Sequence, residues 1–321
     1  MTLLLTFITS AIRLGITFLL GSTGEIITEK SGHLNLGIPG IMCVGAACGC
    51  LGESLYTRSL NSYDDMNPFL SVLIPIGCSI LGAAIMGLIY SFLTVTLRSN
   101  QNVTGLALTT FGVGVTNYII SQIDFVTFQR GSRFFTASLP FASKLGWFGR
   151  IFLSYGFLVY LSIVIAVVAS LVLSKTRVGL HLRAVGENPA TADAMGVNVT
   201  AYRYGATCIG SAIAGLGGLF FVMDYLGGNW EYCIDAMGWL SIALVIFTVW
   251  KPHMSIIGSF LFGGLYIAYN YIGGVTFAQK ELLKMLPYVV TILVLIITSI
   301  RNKRENQPPA GLGLNYYRED R

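Results

Sequence analysis

Nucleophiles, acids, metal ligands or phosphate-binding loops must fall at workable spacing to do chemistry, and this chain of 321 residues offers few of them. It contains no Gly-x4-Gly-Lys-Ser/Thr loop, no His-Glu-x2-His pair, no Gly-x-Ser-x-Gly turn and no Cys-x2-Cys pair. The three histidines, His33, His181 and His253, stand far apart, each without a carboxylate or cysteine at ligand spacing, and each falls in a connection expected to be solvated or headgroup-facing. Cys43, Cys48, Cys50, Cys78 and Cys208 lie in apolar runs and only Cys233 lies in a loop, so five thiols read as packing residues and no disulfide framework is implied. No cofactor is expected on this chain.

What remains is polar chemistry inside an apolar chain. Apolar residues make up 54% of the sequence and charged residues 11%, and mean hydropathy is +0.70, a composition foreign to soluble domains of this size. A charge at the centre of a spanning helix costs roughly 2.5 to 3.5 kcal/mol. Arg13 is the one clear case, and Glu25 and Glu29 could supply its counter-charge. Asp224 falls at the end of an apolar run beside Glu231 and Asp235, so it needs no intramembrane role. With carboxylates and histidines absent from the span interiors, no ion relay is expected. Neutral groups are left to line a solute path: Asn35, Gln101, Asn102, Thr109, Asn117 and Asn270, with Phe111, Trp239 and Tyr269 beside them. Amides on helices equally serve as interhelical glue.

The elements that position these groups are long apolar runs at 2–22, 34–52, 69–97, 99–123, 151–174, 204–223, 236–250, 254–279 and 285–300. Each is comparable with the roughly 20 residues that cross a hydrocarbon core. Alternating apolar and polar strands are absent, so the expected fold is all-α, a polytopic transmembrane helical bundle of about nine spans. Small residues at Gly45-x3-Gly49, Gly210-x3-Ala214 and Ala214-x3-Gly218 mark faces where helices approach closely. The 182–196 stretch, LRAVGENPATADAMG, differs from all of this. Asn188 suits an N-cap, Pro189 a first helical position and Gly196 a C′ glycine, which predicts a docking helix of about two turns outside the membrane.

Lys175, Arg177, Arg183 and Arg203 surround that stretch and Arg301, Lys303 and Arg304 follow the last run, which puts both regions in the cytoplasm. An odd span count leaves the N-terminus outside. The basic 123–150 segment, with Arg130, Arg133, Lys144 and Arg150 against Asp124, opposes this orientation. The domain division is a transmembrane unit at 1–301, with 182–196 as its cytoplasmic element, and a flexible cytoplasmic tail at 302–321. The net charge of +5 is scattered over span ends without an aromatic-interleaved stripe, which excludes nucleic acid as a partner.

Several segments fall into one pattern. Gly24 to Gly37, GEIITEKSGHLNLG, resembles the Glu-Arg-Ser-Gly-x-x-Asn-Ile-Gly signature of ABC-transporter permeases of the branched-chain amino acid and simple sugar class, especially its nucleoside-type subgroup. Arg183 to Pro189, followed by Ala192 and Gly196, is similar to that family's cytoplasmic coupling loop. Asn102 to Leu108 resembles its mid-chain Gly-Leu-Ala span, and Trp250-Lys251-Pro252 with Phe262-Gly263 its late Trp-x-Pro and Phe-Gly signature. The matches run in family order from about residue 10 to 300. Lys30, His33 and Pro39 depart from the pattern, where Arg, an apolar residue and Glu are usual.

The resemblance implies a permease that is one half of a transmembrane pair in the cytoplasmic (inner) membrane of a bacterium, with no catalytic residues and no ATP bound by this chain. A cytoplasmic ATPase, a second permease subunit and an extracytoplasmic substrate-binding protein or lipoprotein would complete the importer. Arg183, Gly186, Glu187, Asn188, Pro189, Ala192 and Gly196 would then couple to the ATPase. Asn35, Asn102, Phe111, Asn117 and Trp239 would line the path of a small neutral solute, a purine nucleoside by subgroup, with riboflavin or a simple sugar asking for the same residue types. An ion-coupled carrier acting alone is the reading from a different class.

Overall fold

In the computed structural model, residues 2–60, 62, 65–123, 125–138, 146–274, 276–301 and 307–317 are described. Asp124, Lys144, Lys303 and Arg304, used above for orientation, lie outside them. Every regular element among the described residues is helical. In chain order they are α1 (Thr2–Glu29), α2 (Ile38–Arg58), α3 (Leu70–Ser91, prolonged by a π-helical turn Phe92–Thr96) and α4 (Gln101–Ser121). Two short helices, α5 (Phe125–Phe135) and α6 (Gly146–Phe152), precede α7 (Phe157–Lys175), α8 (Arg177–Glu187) and α9 (Pro189–Ala194). The chain continues through α10 (Val199–Phe220, with a π-helical turn Phe221–Tyr225), α11 (Ile234–Phe247), α12 (Pro252–Ile267), α13 (Phe277–Lys284) and α14 (Leu286–Arg301).

Among the described residues, seven stretches are long and apolar enough to cross a membrane: α1, α2, α3 with its extension, α4, α7, α10 with its extension, and α13 joined to α14. The protein is an all-α polytopic bundle with seven such helices rather than nine. The two runs that fall short are α11, of 14 residues, and α12, of 16. The apolar run 254–279 is broken because α12 stops at Ile267 and a 3-10 turn at Ala268–Asn270 follows. At α1 the difference goes the other way. Hydropathy ends the first run at Ser22, where charges begin, yet the helix continues to Glu29 because both Glu25 and Glu29 are buried against partners.

α1, α2 and α10 form the centre. A Cβ on Gly45 would overlap the Gly215 backbone, one on Gly218 the Met42 carbonyl, and one on Gly24 the Gly210 carbonyl. These close approaches are what the small-residue spacing prepares. α12 runs antiparallel to α1, from the Trp250–Glu29 contact at one end to the Phe7–Tyr271 ring pair at the other. α3 and α4 flank α2, and α7 flanks α1 and α12. One end of the bundle carries α8, α9 and the turns 30–37, 97–100 and 248–251; the opposite end carries α5 and α6, with Phe128 and Phe135 of α5 buried. All six cysteines are free thiols.

Candidate functional site

At the α9 end the polar 182–196 stretch is two helices rather than one. α8 ends at Glu187; Asn188 then turns to extended backbone (φ −151°, ψ 94°) and caps α9, its Oδ1 accepting the Thr191 N–H at 3.0 Å. Pro189 takes the first helical position, where no N–H is needed. Gly196 has φ +82°, a left-handed conformation that suits glycine, and the Val197 N–H closes on the Ala192 carbonyl at 3.0 Å. α9 is thereby limited to six residues, because the chain must turn into α10, which Asn198 caps through the Ala201 N–H.

Only Ala192 of α9 is buried, against Val185 of α8 and Val199 of α10. Asn188, Thr191, Ala194 and Met195 face outward, and Met195 is 80% exposed. Gly186 is buried where α8 crosses the turn after α1; a Cβ there would overlap the Lys30 carbonyl oxygen. Arg183 and Glu187 are exposed and, with Lys30, Trp250, Lys251 and His253, line a cavity of about 470 Å³. Burial pulls the Lys30 ammonium below its usual range, and the Glu187 carboxylate opposes that shift.

Residues 307–317 of the C-terminal stretch make hydrogen bonds to this end of the bundle. The Gly311 N–H bonds the Gly186 carbonyl at 2.9 Å, the Gly313 N–H the Gly32 carbonyl at 3.2 Å, and the Asn315 amide the Arg98 carbonyl at 2.7 Å. Tyr316 donates to Asp193 of α9 at 2.7 Å, and Pro309 is buried. Backbone groups offered by three separate turns supply the partners of this short segment.

The same end holds a buried polar layer that hydropathy places in solvent. Glu25 accepts the Asn35 N–H at 3.1 Å and Glu29 accepts the Trp250 indole N–H. His33 is fully buried rather than solvated: Nδ1 lies 3.2 Å from the Thr207 hydroxyl and the ring meets Tyr90 edge-on at 6.0 Å. Burial and the nearby Arg203 guanidinium hold the His33 imidazole well below its usual range, in the neutral form. Val249 and Trp250 take φ of +53° and +55°, and the indole bond to Glu29 holds that strained turn.

Arg13 does not pair with Glu25 or Glu29, which lie on α1 toward its other end. Its partner is Asp224, 1% exposed, which receives Arg13 Nε at 3.1 Å and Nη2 at 2.9 Å on Oδ1. The expectation that Asp224 stays out of the bundle fails because the π-helical turn Phe221–Tyr225 presents its side chain inward. Carboxylates are therefore buried within the bundle, toward the ends of its helices: Glu25, Glu29, Glu53 and Asp224 are all at most 3% exposed.

The five solute-path candidates are not gathered in one pocket. Asn35 is buried and structural, its Oδ1 accepting the Gly37 N–H at 2.9 Å in the turn before α2. Trp239 is half-buried on α11, which packs on α1, α2 and α14. Asn102, Phe111 and Asn117 share the exposed half of α4 with Thr110 and Gly114, while Gly105 and Gly112 bury the other half against the turn before α2 and against Gly40. At the opposite end from α9, Asn117 lines a cavity of about 100 Å³ with Thr116, Trp230, Tyr232 and Asp235. The Thr116 hydroxyl and Trp230 indole N–H there have no partner. Sequence reading missed Trp230 and Tyr232, since nothing in the 226–233 loop announces that it folds over α4.

Among the described residues no cluster of three or more His, Cys, Asp or Glu could hold a metal. The model of the family described as branched-chain amino acid transport system, permease component, matches residues 7–295. The nucleoside ABC transporter permease protein NupC of Lactococcus lactis is 33% identical over 286 residues, 86% of each chain. The putative glucose ABC transporter permease protein TsgC13 of Haloferax volcanii is 30% identical over 94% of each chain, and the guanosine ABC transporter permease protein NupQ of Bacillus subtilis 29% identical over 86% of each. Matched over nearly its whole length by transport permeases, the chain is a transport permease component: it belongs to the branched-chain amino acid transport permease family and is related to its nucleoside-type members.

Proposed function

We propose that this chain is one of two permease subunits of an ATP-driven importer for an uncharged, ring-bearing polar solute, a purine nucleoside. The observation that carries this reading is the outward half of α4. The exposed faces of α3 (Leu73, Leu81, Ile85, Leu88) and α14 (Val289, Ile292, Ile296) carry large aliphatics, as a lipid-facing surface does. α4 carries Val103 and Leu106 on its exposed half too, but unlike those faces it also presents Asn102, Thr110, Gly114 and Asn117 beside Phe111 and Tyr118. Neutral amides and aromatic rings suit a base and a ribose, and two exposed amides on one helix are costly against hydrocarbon. A second permease subunit facing α4 would make that surface the solute path. The relatives named for nucleoside and guanosine transport support the nucleoside; the relative named for glucose keeps a sugar as the second reading.

In this reading the α9 end faces the cytoplasm, where a partner ATPase grips α9 and moves Arg183 to Gly196 as a unit. The bundle rocks between outward-facing and inward-facing states, which is a population shift driven by ATP binding to the partner. α12 lies along α1 between the Trp250–Glu29 and Phe7–Tyr271 contacts and α11 packs on α1 and α2, and in this reading both count as crossings, nine in all. The N-terminus is then outside and the membrane is a bacterial inner membrane. Three of the four buried carboxylates, Glu25, Glu29 and Asp224, are each engaged by a donor within the fold, and Glu53, with no partner on either oxygen among the described residues, is a single group rather than the relay an ion-coupled carrier uses. The test is uptake by the reconstituted complex with its binding protein: purine nucleosides compete and leucine does not. Competition by glucose or riboflavin without nucleosides would leave the permease and overturn the nucleoside; competition by leucine alone would overturn the neutral-solute argument too.

A further inference from the structure

We infer that the C-terminal segment Gln307–Tyr317 is part of the surface that the cytoplasmic ATPase grips, and that it ties α9 to the start of α4, so that force applied at α9 reaches the helix carrying the solute-path face. The inference rests on the importer reading above. The segment is bonded on one side to the coupling element, through Gly311 to Gly186, the Ala310 N–H to Glu187 Oε2 at 3.4 Å, and Tyr316 to Asp193. On its other side it is bonded to the turn that enters α4. The Asn315 amide donates to the Arg98 carbonyl at 2.7 Å and the Ser99 carbonyl at 3.3 Å, and Gln101 of α4 donates to the Leu314 carbonyl at 3.4 Å. The Arg98 guanidinium lies over the Tyr317 ring, 4.7 Å from its centroid.

Without this segment the link between α9 and α4 is indirect. α9 touches the rest of the bundle through α8 and α10, and neither is a main packing partner of α4, which packs on α2 and α3. The segment supplies the short route. Its fit is close: a Cβ on Gly311 would meet the Gly186 carbonyl oxygen at 2.7 Å, and Gly32, at φ +87°, would meet both Gly186 and Gly311 within 3.3 Å. Three glycines from three parts of the chain thus cross at one point. Arg98 at that α3–α4 turn holds φ +56°, a conformation rare outside glycine, and its carbonyl is the Asn315 acceptor.

The partner is identified by what the surface presents. Met195 (80% exposed) on α9 and Leu314 (61%) on the segment stand out from the end of the bundle that lipid does not cover, with Asn188 and Thr191 beside them. Exposed apolar knobs ringed by polar groups suit a protein surface. Family membership supplies that protein as the ATPase of the transport system, meeting a composite of α9 and the tail rather than α9 alone.

The test uses the full complex in proteoliposomes, with uptake and ATP hydrolysis measured together. A chain ending at Gln307, and the milder Asn315→Ala/Tyr316→Phe pair, should assemble and hydrolyse ATP while the solute moved per ATP falls tenfold or more for the truncation and several-fold for the pair. Asp193→Cys with Tyr316→Cys in an otherwise cysteine-free chain should be impaired when reduced and recover uptake when a short bifunctional thiol reagent joins the two. Unchanged solute per ATP in both tail variants would overturn the inference. So would a cross-link that stops uptake until it is cleaved, since the segment would then have to release rather than pull. A wild-type complex without ATP-driven nucleoside uptake would instead count against the proposed function, and glucose or riboflavin uptake by that complex would still let the tail be tested.

Discussion

Arg13 and Asp224 are the charge pair on which the helix packing around α1 can be tested most sharply. Asp224 is 1% exposed and takes both Arg13 bonds on a single oxygen, whereas the Arg13 side chain is 35% exposed and opens on a polar cleft that includes Arg150 and Tyr155. Removing one partner of a fully buried pair costs about 3 to 5 kcal/mol. Arg13→Met leaves the carboxylate stranded in the interior and should cost about that much. Asp224→Ala leaves a guanidinium that can partly rehydrate and still bonds the residue 224 carbonyl, so its cost should be lower, about 2 to 3 kcal/mol. The double variant Arg13→Met/Asp224→Leu removes both charges and should lie within about 1.5 kcal/mol of wild type. Unfolding of the purified chain in mixed micelles, followed by helical signal against denaturing detergent, reads all four proteins of the cycle. Additive single effects, with no recovery in the double variant, would refute the reasoning. So would a milder Arg13 variant than Asp224 variant, because exposure is what orders them.

Three further outcomes follow from other parts of the fold. Ser138, exposed after α5, should be labelled as a cysteine by an impermeant thiol reagent added outside intact cells carrying an otherwise cysteine-free chain; labelling only after permeabilisation would reverse the orientation. Gly186→Pro should abolish uptake at normal membrane levels, since proline in the last turn of α8 removes a helix bond at the point where α8 presses on Lys30, and normal uptake at matched expression would refute it. His33 is held neutral in the folded chain while the unfolded chain protonates it near its usual pKa of about 6.5, so stability should fall as pH drops from 7 toward 5.5, by at most about 1.4 kcal/mol per unit. His33→Gln should flatten that slope, and equal slopes in the two proteins would show that other groups set it.

Hydropathy located the apolar helices and missed their charged ends, for a physical reason. A window of apolar residues stops at Glu25, but the cost of the carboxylate depends on the Asn35 N–H ten residues later, and that of Glu29 on an indole at Trp250. Pairs so distant in sequence leave no local trace. Caps are local, and so Asn188 with Pro189 and Gly196 could be read directly. The length of α9 could not, since it is set by where α10 must begin. The Arg13–Asp224 pair depends on a π-helical turn, which shifts the facing of Asp224 by one residue relative to an unbroken helix and defeats a periodicity argument. For the solute path, α4 could be expected to carry Asn102, Phe111 and Asn117; that the 226–233 loop brings Trp230 onto α4 is a tertiary fact.

A six-residue helix with one buried side chain is a poor lever by itself. Ala192 alone anchors α9, and a single buried methyl contributes about 1 kcal/mol, too little to resist a working partner. α9 can move other elements only through what is fastened to it. Gly186 presses α8 onto the turn that leads from α1 to α2, and the His33 and Asn35 of that turn reach α10 and Glu25. Gly311 and Tyr316 fasten the tail to the same unit, and Asn315 carries it to the α3–α4 turn. In the importer proposed above, a pull on α9 would be divided between α1–α2 and α4, the two sides of the groove in which Gly40 and Gly112 touch. Helices in contact through glycine can slide or part with little side-chain interlock. That contact, rather than α9 itself, is where an inward opening should begin.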